Sequence, residues 1–274
     1  MPVIRLLVPF LLAAAACTPT LMHAAYVGDN IRVRELLDHG ENVNQADRGW
    51  TPLLVALGQE HVETARLLIE RGADVQARTP TGQTTLALAA YRGHMMLCRM
   101  LVERGVPLDA ADTALNVTAL HAASAMDREA VVRYLLDQKA AIDLPDAIGR
   151  TPLMEASFYG NTAIARLLLE HGANVNVQDQ NGGTPLIMAA VNNHTETVET
   201  LLDAGAQVDR PDVHGFTPLL VSATKGYLQP AQLLARRGAD LHRHGDKGET
   251  ALSLAQRSNN AAFVAWLREA GLTE

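Results

Sequence analysis

Apolar residues along the chain recur in short bursts at helical spacing. In TPLLVAL, Leu53, Ala56 and Leu57 fall at i, i+3 and i+4, the spacing of one buried helix face. Related words are PTLMHAA, TTLALAA, TALHAAS, TPLMEAS, TPLIMAA, TPLLVSA and TALSLAQ. The Leu of each word stands at 21, 53, 86, 120, 153, 186, 219 and 252, so successive words are 32, 33, 34, 33, 33, 33 and 33 residues apart. A period this strict marks a stacked array of one supersecondary unit. Each word predicts a first helix, and an apolar pair further on, such as Leu36–Leu37, Leu168–Leu169 or Leu201–Leu202, predicts a second. Eight helix pairs are expected, opening near residues 19, 51, 84, 118, 151, 184, 217 and 250.

The residues between the apolar positions are punctuation. Thr-Pro suits a helix start, because proline has no N–H to lose in the first turn and its φ is already helical. Seven residues after most of the Leu positions comes a turn residue, Gly28, Gly93, Gly160, Asn193, Gly226 or Asn259, a type that tolerates left-handed backbone. Glu60 and Asp127 depart from that pattern. Nineteen residues after each Leu the second helix ends at Gly40, Gly72, Gly105, Gly172, Gly205, Gly238 or Gly271, with Lys139 the one exception. All variation in repeat length therefore falls in the connecting hairpin, where insertions are tolerated. Asp47, Asp112, Asp146, Asp179 and Asp212 recur there as acceptors for backbone N–H groups of the turn, with Thr79 and Gly245 in the same place in two hairpins. Near the end Leu267–Arg268, Phe263 and Trp266 suit a capping repeat with a polar outer face.

Words and period together resemble the ankyrin repeat, with its consensus Thr-Pro-Leu-His-x-Ala-Ala, from about Thr18 to Gly271. The resemblance implies an all-α solenoid over residues 18–274, eight helix-turn-helix units joined by β-hairpin loops. It also implies protein binding by the hairpin tips and the last two residues of each first helix. The helix ends carry Tyr26, Tyr91, Arg92, Met126, Phe158 and Tyr159; the tips carry Arg48, Trp50, Ile148, Arg150, His214 and Phe216. Six of the ten aromatic residues beyond residue 17 fall at these few positions, and aromatics and Arg are the types that anchor interfaces. Trp50, Tyr91, Phe158, Tyr159 and Phe216 are expected exposed along one concave side. The competing reading has some of these rings packing on neighbouring repeats.

Composition narrows the remaining chemistry. Apolar residues make up 48% of the 274 residues and aromatics only 4%, so the core must be Ala, Leu and Val. The net charge of −7, without any run of like charge, argues against nucleic acid or anionic lipid as the main partner. Cys98 stands where the other repeats hold Val33, Ala65, Val132, Ala165, Val198, Ala231 and Val264, so a buried core residue is expected. His61, His94 and His194 follow the turn residue and read as structural; the family pattern implies that His121 bonds back to Thr118. His39 and His171 suit the negative end of a helix. His242, His244 and Asp246 share one loop without a defined ligand spacing, so no metal site is expected. No nucleophile elbow, phosphate loop, zinc-binding helix or dinucleotide fingerprint occurs, which leaves catalysis and cofactors without support. A monomer is expected.

MPVIRLLVPFLLAAAAC has the layout of an export signal: Arg5, then an apolar run from Leu6 to Ala16, too short to span a bilayer. Ala14, Ala15 and Ala16 before Cys17 resemble a bacterial lipobox, although such boxes usually carry Leu where Ala14 sits. Cleavage by an ordinary signal peptidase at the same bond and an uncleaved apolar helix over the end of the array remain open. With lipid on Cys17, Thr18 in the next position implies an outer-membrane anchor facing the periplasm. The favoured function is a non-catalytic envelope scaffold that protects, inhibits or localises an enzyme. The rivals are a secreted effector acting on host proteins and, less supported, an enzyme with an unrecognised site.

Overall fold

A computed structural model describes residues 20–272, and the signal-like segment with Cys17 lies outside the described residues. Among the described residues there are sixteen helices in eight pairs: α1 (Leu21–Val27) and α2 (Asn30–Asp38), α3 (Pro52–Gly58) and α4 (Val62–Glu70), α5 (Thr85–Arg92) and α6 (Met95–Glu103), α7 (Ala119–Ala125) and α8 (Glu129–Asp137). They continue as α9 (Pro152–Tyr159) and α10 (Thr162–Glu170), α11 (Pro185–Val191) and α12 (Thr195–Asp203), α13 (Pro218–Lys225) and α14 (Leu228–Arg236), α15 (Ala251–Arg257) and α16 (Ala261–Glu269). The fold is an all-α repeat solenoid. Its contacts cluster into two compact units, residues up to Ala123 and residues from Ser124 onward.

Each first helix starts as its sequence predicts. Thr20, Thr51, Thr84, Thr151, Thr184, Thr217 and Thr250 are extended N-caps whose side chains accept the N–H three residues on. At Thr118 a buried histidine joins the cap, with its hydroxyl 2.9 Å from His121 Nδ1. His39 and His171 close their helices, Nδ1 lying 2.6 and 2.8 Å from the carbonyls of Glu35 and Leu167. Cys98 is fully buried, and desolvation pushes its thiol up to about 12. Phe263 is fully buried against an edge-on Trp266 at 5.4 Å, while Arg268 on the same helix is exposed.

The hairpins absorb the differences in repeat length. A backbone N–H···O bond closes Asp47 on Trp50, Thr79 on Gln83, Asp112 on Val117, Asp146 on Arg150, Asp179 on Gly183, Asp212 on Phe216 and Gly245 on Glu249. The first loop is one residue short and the third one residue long, which accounts for the spacings of 32 and 34. In the short loop Arg48 and Gly49 both have positive φ, the requirement of a two-residue type I′ turn. The hairpins contain three isolated bridges and no extended strand among the described residues. Asp112, Asp146, Asp179 and Asp212 each accept turn N–H groups, and Thr79 does so through its hydroxyl.

Glu60 and Asp127 take the left-handed conformation without being Gly or Asn, with φ of 65° and 57°. Lys139 does the same, φ 72°, at the end of α8. A side chain held there costs about 1 kcal/mol relative to Gly. Lys139→Gly is therefore expected to raise the urea midpoint. A lowered midpoint would mean that the exposed lysine stem makes compensating contacts.

Candidate protein interface

Hairpin tips and first-helix ends are positioned by different rules. The residue just before the left-handed glycine of each tip projects into solvent: Arg48, Ile148 and His214 are all exposed. The residue just after that glycine turns inward, and Trp50, Arg150 and Phe216 are half-buried. At the helix ends Tyr26, Tyr91, Arg92, Met126 and Phe158 are half-buried and Tyr159 is exposed. The expectation of five exposed rings thus needs correcting: of Trp50, Tyr91, Phe158, Tyr159 and Phe216, only Tyr159 is exposed, and the other four are half-buried. Arg150 covers the Phe158 ring, Arg92 lies over the Tyr91 ring, and Phe216 packs against Gly245 of the next hairpin.

In the first unit the helix ends are clamped from the following repeat. His61 Nε2 donates to the Tyr26 carbonyl at 2.9 Å, and Arg92 Nη2 to the Gly58 carbonyl at 3.3 Å. Arg92 also pairs with Glu60 and lies 5.5 Å from the centre of the Tyr91 ring. The candidate residues Tyr91 and Arg92 are therefore one braced pair rather than two free side chains.

The second unit repeats the device and adds a charge cluster. His194 Nε2 donates to the Phe158 carbonyl at 3.0 Å, and Asn161 Nδ2 to the Ser124 carbonyl at 2.7 Å. Arg150, its side chain only 13% exposed, lies 3.5 Å from Glu155 and 3.8 Å from Asp179. Its guanidinium caps the Phe158 ring at 5.5 Å, and Phe158 meets Tyr159 edge-on at 5.0 Å. Arg150 works here as a brace that fixes both rings. Successive tips are tied by backbone bonds of 3.0 Å, from Gln180 N–H to the Ile148 carbonyl, Val213 N–H to Asn181 and Asp246 N–H to His214. Ile148, Val213 and His214 stand exposed along this row.

Glu155 did not figure among the candidates, yet the chain marks it. The same helix position holds His23 in the first repeat and Val55, Leu88, Ala122, Met188, Val221 and Leu254 in the others, so Glu155 is the one carboxylate in a largely apolar column. Burial pushes its carboxyl above the ordinary range, Arg150 opposes that shift and Asp146 adds to it. A raised folded-state value means that Glu155 contributes stability fully below about pH 4.5 and loses it as pH rises through the raised value. The stability of wild type relative to Glu155→Gln should therefore fall as pH rises above about 4.5 in paired thermal melts. A difference that is flat with pH would show that Arg150 cancels the burial.

Among the described residues no group of three His, Cys, Asp or Glu could hold a metal, and no helix is long and apolar enough to cross a membrane. Stacked helix pairs with hydrogen-bonded tips define a repeat protein of the helical solenoid class. A family model described as ankyrin repeats (three copies) matches residues 4–79, 76–146 and 138–212. The chain belongs to the ankyrin-repeat family. It is 45% identical over 56 residues to the ankyrin repeat, SAM and basic leucine zipper domain-containing proteins 1 of Oryctolagus cuniculus and Mus musculus. The match covers 20% of this chain and only 12% of the length of those relatives. Ankyrin repeats are generally protein–protein interaction modules, and proteins built from them are typically non-enzymatic scaffolds.

Proposed function

We propose that the chain is a non-catalytic scaffold of the bacterial envelope, holding a protein partner on the helix-end and hairpin face of its second unit. Tyr159 carries this reading: a 40% exposed ring, held edge-on by a Phe158 that Arg150 braces. Apolar area kept in water at a fixed geometry is area that a partner covers with a gain. Tyr beside Arg is the composition of an interface anchor. Ile148, 41% exposed at the tip of the same repeat, extends the patch. Tyr26, Arg48, Trp50, Tyr91 and Arg92 provide a second set in the first unit, and Met126 and Phe216 flank the patch in the second. Protection, inhibition or localisation of an envelope enzyme is the role that such a scaffold fits.

A photo-reactive benzoylphenylalanine in place of Tyr159 tests the surface. In cells it should yield a protein adduct of one mass, whereas the same group in place of Arg133, exposed on α8, should yield none. Equal adducts from both positions, or none from either, would overturn the reading. The location rests on residues 1–17. With Cys17→Ser a lipoprotein should leave the membrane fraction for the periplasm, while a simple periplasmic protein should be unchanged. An untagged wild type wholly in the cytosol would sink both versions.

A further inference from the structure

Charge is spread unevenly along the chain. Residues 224–272 hold seven Lys and Arg against four Asp and Glu, whereas residues 20–223 hold fifteen against twenty-five. Pairing differs as well. In the acidic stretch at least seven of the fifteen basic residues lie within 4.0 Å of a carboxylate. In the basic stretch, among the described residues, only Arg237 does so, with Glu199 and Asp203.

Three of the unpaired cations occupy helix-end and tip positions. Lys225 ends α13, Arg257 ends α15, and Lys247 is the tip residue of the last hairpin; all three are exposed. The helix ends are stacked: a methyl carbon at Gly226 would lie 3.2 Å from Ser258 Oγ, and Asn260 Nδ2 donates to the Gly226 carbonyl at 2.7 Å. The tips are joined by the bond from Asp246 N–H to the His214 carbonyl. Between tips and helices, Phe216 packs against Gly245, 3.0 Å from where a side chain would begin. In a chain with an excess of carboxylates, leaving these cations without a partner keeps their field available to something else.

From this placement we infer that the last two repeats bind an acidic protein segment, a run of Asp or Glu carboxylates seated on Lys225, Lys247 and Arg257. The inference rests on the reading of this face as protein-binding and adds the chemistry of the partner. A membrane or a nucleic acid would fit poorly. Either extends its negative charge well beyond two repeats, over a stretch of chain with ten more acidic than basic residues. A short acidic segment meets only the basic repeats. Complementary charge of this kind acts through encounter rate and specificity and is screened by salt.

The probe is fluorescein-labelled poly-L-glutamate of about twenty residues, added to the full chain and followed by anisotropy. Wild type should bind it, and affinity should fall about tenfold or more from low salt to about 500 mM NaCl. The triple variant Lys225→Glu, Lys247→Glu, Arg257→Glu should lose about tenfold or more, with circular dichroism unchanged. The control Arg236→Glu, Arg243→Glu, Arg268→Glu makes the same change of net charge in the same repeats and should lose less than about twofold. Absence of binding by wild type, or equal loss in the two triples, would overturn the inference. So would tighter binding, removed by the first triple, to vesicles containing phosphatidylglycerol or to single-stranded DNA. Tyr159→Ala should leave poly-glutamate binding intact, so failure of the apolar patch and failure of the cationic face are read separately.

Discussion

Gly182→Ala is expected to destabilise the second unit by about 3 kcal/mol, while Gly172→Ala should cost only about 1. Both glycines are left-handed, with φ of 72° and 91°, so both replacements meet the same backbone penalty. They differ in surroundings. A Cβ at Gly172 has nothing within 4 Å, whereas one at Gly182 would lie 2.8 Å from Val213 N and 2.9 Å from Asp212 Cα. Those are backbone atoms and cannot swing aside. To make room the tips must part, which strains the bond from Val213 N–H to the Asn181 carbonyl. Chemical denaturation of the two variants measures the difference directly. Equal losses would mean that the tips separate at no cost and do not hold neighbouring repeats together.

The tip contact at Gly182 shows where reading along the chain succeeds and where it stops. A 33-residue period predicts every helix pair, because each pair must present the same apolar stripe to its neighbours. It also predicts that the hairpins absorb the odd residues, since the second helix ends nineteen residues after the Leu in every repeat, at a glycine or at Lys139. The departures at Glu60, Asp127 and Lys139 are legible too: the turn geometry is imposed by the repeat, and each of these residues adopts it. Depth is what periodicity lacks. Trp50, Arg150 and Phe216 share a tip with Arg48, Ile148 and His214, yet the first three fold inward and the others do not. That outcome is set by a side chain's direction either side of one left-handed glycine, which spacing does not encode. The brace at Arg150 needs Asp179 from the following repeat as well as Glu155, so it exists only once two repeats are stacked. The column comparison that isolates Glu155 is the one signal in the chain that points to it.

The same difference in depth separates the two rings at the end of α9. Truncating an interface anchor costs about 2 kcal/mol of binding, close to thirtyfold in affinity, whereas truncating an exposed side chain changes stability by about 0.5. Tyr159→Ala should therefore weaken partner binding about thirtyfold and leave the melting temperature within a degree or two of wild type. Phe158→Ala should act on both quantities. Its ring is half-buried and is the floor on which Arg150 rests, so its loss should lower stability by about 1–2 kcal/mol besides weakening binding. With both rings removed, capture of the partner should be abolished in a chain that still melts cooperatively. The measurements are affinity for the protein crosslinked through position 159, and calorimetry of each variant. Tyr159→Ala that binds as wild type does but melts several degrees lower would place that ring in the packing of the repeat, and the partner would then have to be sought on another face.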